Sequence, residues 1–267
     1  MMPFVRWPGG KRKLAPRVLE HIPRKLERLV EPFAGGAAVF FTLCGREKRA
    51  VPVWLNDANG DLMALYRTVR DNVEGLIAEL GEVEADKALY YALRNMEHNE
   101  LLRLDDHDRG ARAYYLNRCA FNGVWRVNST GGMNVPYGRT PKPLADAVAL
   151  RAASSVLQGA TLTHGSFVWV FEGLRPGDVV YLDPPYPGGF TSYTAAGFGE
   201  AAHRKLAQLA RSVSARHRVV VSLPDCELVR ELYPPAAWQL HEVSAPRSVS
   251  CDGNGRQPVP ELIIVGG

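Results

Sequence analysis

Val179, Val180, Tyr181 and Leu182 form an unbroken run of β-branched, aromatic and aliphatic side chains, and it stops at Asp183-Pro184-Pro185-Tyr186. Such a run reads as a buried strand. Asp183 therefore stands where the strand ends, and a carboxylate is delivered to the edge of a sheet. The two prolines stiffen the turn and remove two backbone N–H donors, which leaves carbonyl acceptors and one aromatic ring facing outward.

A buried strand needs neighbours, and the chain supplies them in alternation with helices. Phe4 to Lys13 opens with a short apolar lead, then Trp7 and a Pro8-Gly9-Gly10 turn ahead of a basic cluster. Glycines there let a backbone approach a ligand, while Trp7 and Lys11 offer a ring face and a cation. Leu14 to Leu26 is predicted as a helix with Pro16 in its first turn. Leu29-Val30 starts a strand that ends in Glu31-Pro32-Phe33-Ala34-Gly35-Gly36-Ala37, and the short helix Ala38 to Leu43 follows. Strand, glycine turn and helix is how open α/β sheets present a cofactor at the carboxyl edge of the first strand. The G-K-[ST] ending of a phosphate loop is missing. The next strand, Val51 to Leu55, ends at Asn56-Asp57. Asp57 lies about as far beyond Gly35 as the ribose-binding acid of dinucleotide folds, ~20 residues. That makes it a candidate for the hydroxyls of a nucleoside cofactor, alone or together with a role as N-cap of the next helix.

Leu62, Leu65, Tyr66 and Val69 repeat at helical spacing, so Asp61 to Arg70 is predicted as an amphipathic helix. Asp86 caps a second helix through Leu89, Leu93 and Met96, and Gly110 to Arg118 continues helically. From Ala120 the texture changes to FNGVWRVNSTGGMNVPYGRTPKP, rich in Asn, Gly and Pro with aromatic and basic residues between them. Phe121-Asn122-Gly123-Val124 and Thr130-Gly131-Gly132 read as hairpin or loop turns. An inserted, largely helical domain with a basic hairpin is expected over residues 60–160. Val156 to Phe167 then returns toward the sheet, with Thr161 to His164 a strand. After the Asp183 strand come a helix marked by Ala202, Leu206, Leu209, Ala210 and Val213, a strand Val219 to Leu223 and a last strand Leu262 to Val265. The predicted class is α/β with one doubly wound sheet, its domain built from residues 1–59 and 161–267.

The groups at Asp183 to Tyr186 suit an exocyclic amine on a flat heterocycle. A carboxylate and a backbone carbonyl can each accept one N–H while the ring stacks on the base. The amine of adenine is a poor nucleophile because its lone pair is delocalised into the ring. Holding both hydrogens out of plane brings the nitrogen toward tetrahedral and frees that pair. A proline-rich turn whose Asp caps the next element is the plainer alternative.

Hydrophobic content of 46% with 22% charged residues over 267 positions is ordinary for a globular enzyme. The net charge of +4 is modest, but its distribution is not even. Arg6, Lys11, Arg12, Lys13, Arg17, Arg24, Lys25 and Arg28 face only Glu20 and Glu27 before Val30, and residues 109–145 hold Arg109, Arg112, Arg118, Arg126, Arg139 and Lys142 with no acid. Two basic stretches suit a polyanionic partner. Cys44, Cys119, Cys226 and Cys251 have no C-x-x-C spacing, which argues against a zinc site or a disulfide framework. With no signal peptide, lipidation motif or membrane-spanning run recognised, the expected location is the cytoplasm.

Several segments in one order resemble the Dam-type, D12 class DNA adenine-N6 methyltransferases: RWPGGK, VEPFAGGAAVF, LNDANGDLMALY, YYLNRCAFNGVWRVN, NVPYGRTPKP, DPPY with the later FTSY, and PRSVSCDGNGR before PELIIV. The resemblance spans nearly the whole chain. It implies a Rossmann-like sheet that binds S-adenosyl-L-methionine, with Trp7 and Lys11 at the cofactor, Phe33 and Gly35 lining its loop and Asp57 on its ribose. Asp183 would lie beside both cofactor and flipped adenine, the carbonyl of Pro184 would share the amine, Pro185 would complete the turn and Tyr186 would stack on the base. Arg6, Phe121, Asn122, Val124, Arg126, Pro136 and Arg139 would meet the DNA, in the family typically a short palindrome such as GATC. The implied partner is double-stranded DNA, with neither membrane nor metal, for a monomer that acts alone or in a restriction-modification pair. The cofactor loop follows F-x-G-x-G except that Ala37 replaces the last glycine. A cytosine-N4 methyltransferase and a catalytically silent DNA-binding regulator on the same fold remain the alternatives.

Overall fold

A computed structural model describes residues 1–7, 9–128, 131–138, 143–188, 197–245 and 259–267. Strand β1 (Arg28–Glu31) is flanked by α1 (Ala15–Val18) and α2 (Ala38–Glu47), and β2 (Val53–Asp57) follows. Helices α3 (Gly60–Asp71), α4 (Val73–Glu82), α5 (Lys87–Arg94), α6 (His98–Leu101), α7 (Asp106–Cys119) and α8 (Ala147–Leu157) separate β2 from β3 (Thr161–His164). The single turn α9 (Phe167–Val170) leads to β4 (Asp178–Leu182), α10 (Glu200–Ser214), β5 (Arg218–Pro224), α11 (Glu227–Leu232), β6 (Gln239–Ala245) and β7 (Val259–Gly266). Among the described residues no helix is long and apolar enough to cross a membrane.

The seven strands form one sheet in the order β3-β2-β1-β4-β5-β7-β6. β3, β2, β1, β4 and β5 run parallel, with Val30 opposite Trp54 on one side and Val180 on the other. β7 is antiparallel to both β5 and β6. This is the α/β class and doubly wound sheet expected from the sequence. Period-two alternation divides the central strands between two cores. Val179, Tyr181, Val220, Ile263 and Val265 face the core that holds α1, α2 and the helices before β3. Val180, Leu182, Val219, Val221, Leu262 and Ile264 face Leu206, Ala210, Val229 and Trp238.

Several boundaries differ from expectation. The helix predicted over Leu14 to Leu26 is one turn, Ala15–Val18. Pro23 has no N–H to donate, its ring would strike the carbonyl four residues back, and it pushes Ile22 out of helical geometry. Ile22 is buried in the core regardless. α7 begins at Asp106 rather than Gly110, because the Asp105 side chain accepts from Asp108 N at 2.9 Å and caps it. α5 ends at Arg94, short of Met96. Helices α4, α8 and α11 and strand β6 were not anticipated.

After α7 the chain folds back on itself. Bridges Ala120–Tyr137 and Val127–Met133 are antiparallel, and Asn134 N donates to Arg126 O at 3.0 Å. Asn122 (φ 55°) and Gly123 (φ 66°) supply the left-handed turn at its base. A side chain at Gly123 would run into Arg6 Cβ and Cδ, so the turn packs directly on the N-terminal segment. Asn117 completes that joint, accepting from Arg6 N at 3.1 Å and donating to Arg6 O at 2.6 Å.

Candidate active site

The chain proceeds from β1 outward through β2 to β3 on one side, and from β4 to β5 on the other. Strand order therefore reverses between β1 and β4, the switch point at whose carboxyl edge open α/β sheets bind their ligands. Glu31, Asp57 and His164 end three of those strands, and Asp183 follows the fourth. Four of the polar groups that matter are thus set side by side by strand register alone.

Asp183 is gripped from two directions. Lys11 Nζ lies 2.7 Å from its Oδ1, and the lysine is buried, with 6% of its side chain exposed. The same ammonium stands 4.5 Å from the centroid of the Tyr186 ring. The lysine thus stands between the carboxylate and the ring face. Ser222 Oγ, on β5, donates to Asp183 Oδ1 at 3.3 Å and is itself 2.8 Å from the Tyr181 hydroxyl. Burial raises the Asp183 pKa, against the lowering charge and hydrogen bond of Lys11, and the Glu261 charge raises it further. Beside it Glu31 is fully buried and pushed up to about 8, chiefly by burial, although Phe40 N at the start of α2 donates to its Oε1 at 2.9 Å.

The glycine turn is built on Asp57. Its Oδ2 accepts from Gly35 N and its Oδ1 from Asn59 N, both at 2.9 Å. Burial raises its pKa while those two N–H groups pull it down. The cap of α3 falls to Asn59, whose side chain accepts from Leu62 N at 3.0 Å, so Asp57 does not cap that helix itself. Tyr66 donates to Gly35 O at 3.0 Å from below, and buried Asn56 donates to Pro32 O and Gly165 O at 3.1 Å each. Gly35 has φ +47°, and a Cβ there would lie 2.9 Å from Trp7 Cδ1. Trp7 therefore lies on the turn. Phe33 packs against Phe167 and Phe198, with ring centroids 5.2 and 5.5 Å away, as an aromatic wall. A planar base, a pair of hydroxyls and a cationic centre would each find a counterpart in these residues, so the cradle fits a nucleoside cofactor.

Of the residues singled out in the sequence, Lys11 meets both Asp183 and Tyr186, and Gly35 meets both Trp7 and Asp57. Pro184 is buried, and Pro185 is half-buried. Arg6, Asn122 and Pro136 are exposed, Val124 is half-buried on the core, and Phe121 keeps 55% of its surface exposed. Arg126 is exposed, its Nε donating to Asn134 Oδ1 at 2.6 Å. Trp7 and Trp125 stack at 5.9 Å, which connects the glycine turn to the hairpin. Arg139, the FTSY segment and PRSVSCDGNGR lie outside the described residues.

Sequence reasoning did not find Glu261, His203, Ser222, Tyr66 or Phe167 as neighbours of the site. Tyr186 donates to Glu261 Oε1 at 2.5 Å. His203, on α10, hydrogen-bonds the Pro185 backbone, and burial lowers its pKa to about 4. Each comes from an element distant in sequence, so no local pattern marks it. Among the described residues no group of three or more His, Cys, Asp or Glu side chains could hold a metal ion.

Residues 7–249 match the family model of the D12 class N6 adenine-specific DNA methyltransferases. The type II methyltransferase M1.LlaDCHI of Lactococcus lactis subsp. cremoris is 33% identical over 99% of this chain and 95% of its own length. The DNA adenine methylase of Haemophilus influenzae is 33% identical over 99% and 93%, and that of Salmonella typhimurium 35% over 98% and 94%. Matches this long leave one assignment: the chain belongs to the D12 class of N6 adenine-specific DNA methyltransferases.

Proposed function

We propose that this enzyme methylates the N6-amino group of an adenine flipped out of duplex DNA, with S-adenosyl-L-methionine as donor. The observation that carries the reading is Lys11, which pairs with Asp183 and stands over the Tyr186 ring, on the same carboxyl edge as the Gly35–Asp57 turn, at the point where strand order reverses. Asp183 and the carbonyl of Pro184 accept the two amino hydrogens, Pro185 holds that carbonyl in place, and Tyr186 stacks on the ring. Drawing the hydrogens out of plane localises the nitrogen lone pair, and fixed acceptors face the positive charge that develops there. Asp183 also receives the proton the amine sheds. Trp7 and Phe33 flank the cofactor's base and chain, Lys11 contacts it from beside Asp183, Gly35 lets the backbone approach, and Asp57 uses its remaining lone pairs for the ribose hydroxyls. When bound, the cofactor supplies an electrophilic methyl group.

Residues 60–160 serve as the target-recognition domain in this reading, and 1–59 with 161–267 as the catalytic one. Arg6 and Arg139 contact phosphates or base edges, Phe121 and Pro136 fill the space left by the flipped base, and Asn122, Val124 and Arg126 read neighbouring base pairs. Each direct base contact would contribute about 1–3 kcal/mol of discrimination. The target is a short site of the GATC kind, and the enzyme works as a cytoplasmic monomer.

Asp183→Ala tests the central assignment. It is expected to abolish N6-methyladenine in nucleoside digests of treated DNA while duplex affinity stays near wild type. Full activity in that variant would remove Asp183 from the chemistry, and N4-methylcytosine in the wild-type digest would overturn the substrate.

A further inference from the structure

Glu261 is the third residue of β7, and the four residues after it, Leu262 to Val265, are all buried and apolar. A carboxylate at that position is costly, and Glu261 keeps only 9% of its surface exposed. Its Oε1 accepts from the Tyr186 hydroxyl at 2.5 Å, a short charge-assisted bond, while its Oε2 is buried without a partner. A half-satisfied buried acid does not help the sheet hold together, since a leucine there would continue the apolar strand. What it does is fix one end of the Tyr186 ring. The ring also makes apolar contacts with the core beyond it and carries the Lys11 ammonium over its face.

We propose that Glu261 is the positioning residue for Tyr186, holding the phenol so that the ring plane is already set when the flipped adenine stacks on it. The inference rests on the proposed function above. A ring held less firmly at its hydroxyl end would let the amine drift from Asp183, and misplacement of a reacting group costs turnover rather than binding. The raising effect of the Glu261 charge on the Asp183 pKa agrees with the two acids facing one pocket.

The test is a double-mutant cycle on the full chain, using wild type, Glu261→Leu, Glu261→Gln, Tyr186→Phe and the Leu/Phe double variant. Methyl transfer to unmethylated duplex DNA is measured alongside thermal melting. Glu261→Leu and Tyr186→Phe are each expected to lower kcat on the order of tenfold, the effect of losing a well-placed stack. KM for S-adenosyl-L-methionine should stay within about twofold. The double variant should be no slower than either single one, because both remove the same bond. Glu261→Gln, which keeps an acceptor oxygen, should recover most of the loss. Melting of Glu261→Leu should be unchanged or higher. Multiplying effects in the double variant, wild-type kcat in Glu261→Leu, or a melting loss that accounts for the lost activity would each overturn the inference. Absence of adenine methylation by wild type would instead sink the functional reading, and this inference with it.

Discussion

His203 and Glu31 are two buried titratable groups whose pKa values burial moves in opposite directions, and each leaves a signature in the pH dependence of stability. Burial lowers His203 from 6.5 to about 4. Between those values the unfolded chain holds a proton that the native chain does not, so stability is full above pH 6.5 and falls as pH drops toward 4. The loss reaches up to about 3 kcal/mol. His203→Gln removes the titration and keeps a donor for the Pro185 carbonyl, so denaturant melts of the variant should lose that acid slope relative to wild type. Burial raises Glu31 from 4.5 to about 8, so here the native chain holds the extra proton. Stability is lost as pH rises through that window, and Glu31→Gln should flatten the curve there. Slopes of the same sign in the two comparisons would contradict the burial of one of the two groups.

Among the elements, the turn from β1 into α2 carries the most constraint per residue. Gly35 needs its positive φ, and it also leaves the space that Trp7 fills. Ala37 is the N-cap of α2 at φ 47°, ψ 43°, the left-handed region, where the family pattern has its last glycine. An alanine held there costs about 1 kcal/mol. Ala37→Gly is therefore expected to be neutral or to stabilise by up to about 1 kcal/mol, the entropy of glycine offsetting part of the gain. Gly35→Ala should destabilise by about 1–2 kcal/mol from backbone strain alone. It should also weaken S-adenosyl-L-methionine binding in titration calorimetry, because the added methyl displaces Trp7. This turn was readable from the sequence because strand, glycines and helix are contiguous. The run before Asp183 was readable for the same reason, its residues being apolar on both faces. α8 was not, because Ala147 to Leu157 mixes alanines and serines with few large apolar side chains, and its identity depends on the Asp146 cap, accepting from Ala149 N at 3.1 Å. β6 owes its existence to pairing with β7, a long-range contact with no local signature. Glu261 and His203 were missed for that reason too: β7 enters between β5 and β6, and only this topology brings Glu261 to Tyr186.

For the molecule as a whole, the helices between β2 and β3 are set off in sequence but not in their core. Phe41, Leu55 and Val179 belong to the same buried cluster as Leu76, Tyr90, Tyr114 and Leu150. A partly buried ion cluster ties the helices of the insert to one another. Asp61, on α3, pairs with Arg109 at 2.5 Å and Arg112 at 3.0 Å, both on α7, and Arg112 Nε also donates to Leu93 O at 2.8 Å. Two regions that share apolar surface cannot expose it separately without each losing burial, so they should unfold together. Calorimetry is expected to give one transition whose calorimetric and van't Hoff enthalpies agree, despite the division into catalytic and recognition domains proposed for function. Asp61→Asn leaves the Arg112 guanidinium buried without its counter-charge, a change that costs roughly 3–5 kcal/mol. If the molecule is one cooperative unit, that loss moves the whole transition down, by roughly 2–4 °C for each kcal/mol in a chain of this size class. If the helical insert is energetically independent, the same substitution splits a low-temperature peak from an unmoved one. The shape of the Asp61→Asn thermogram, more than its midpoint, separates the two cases.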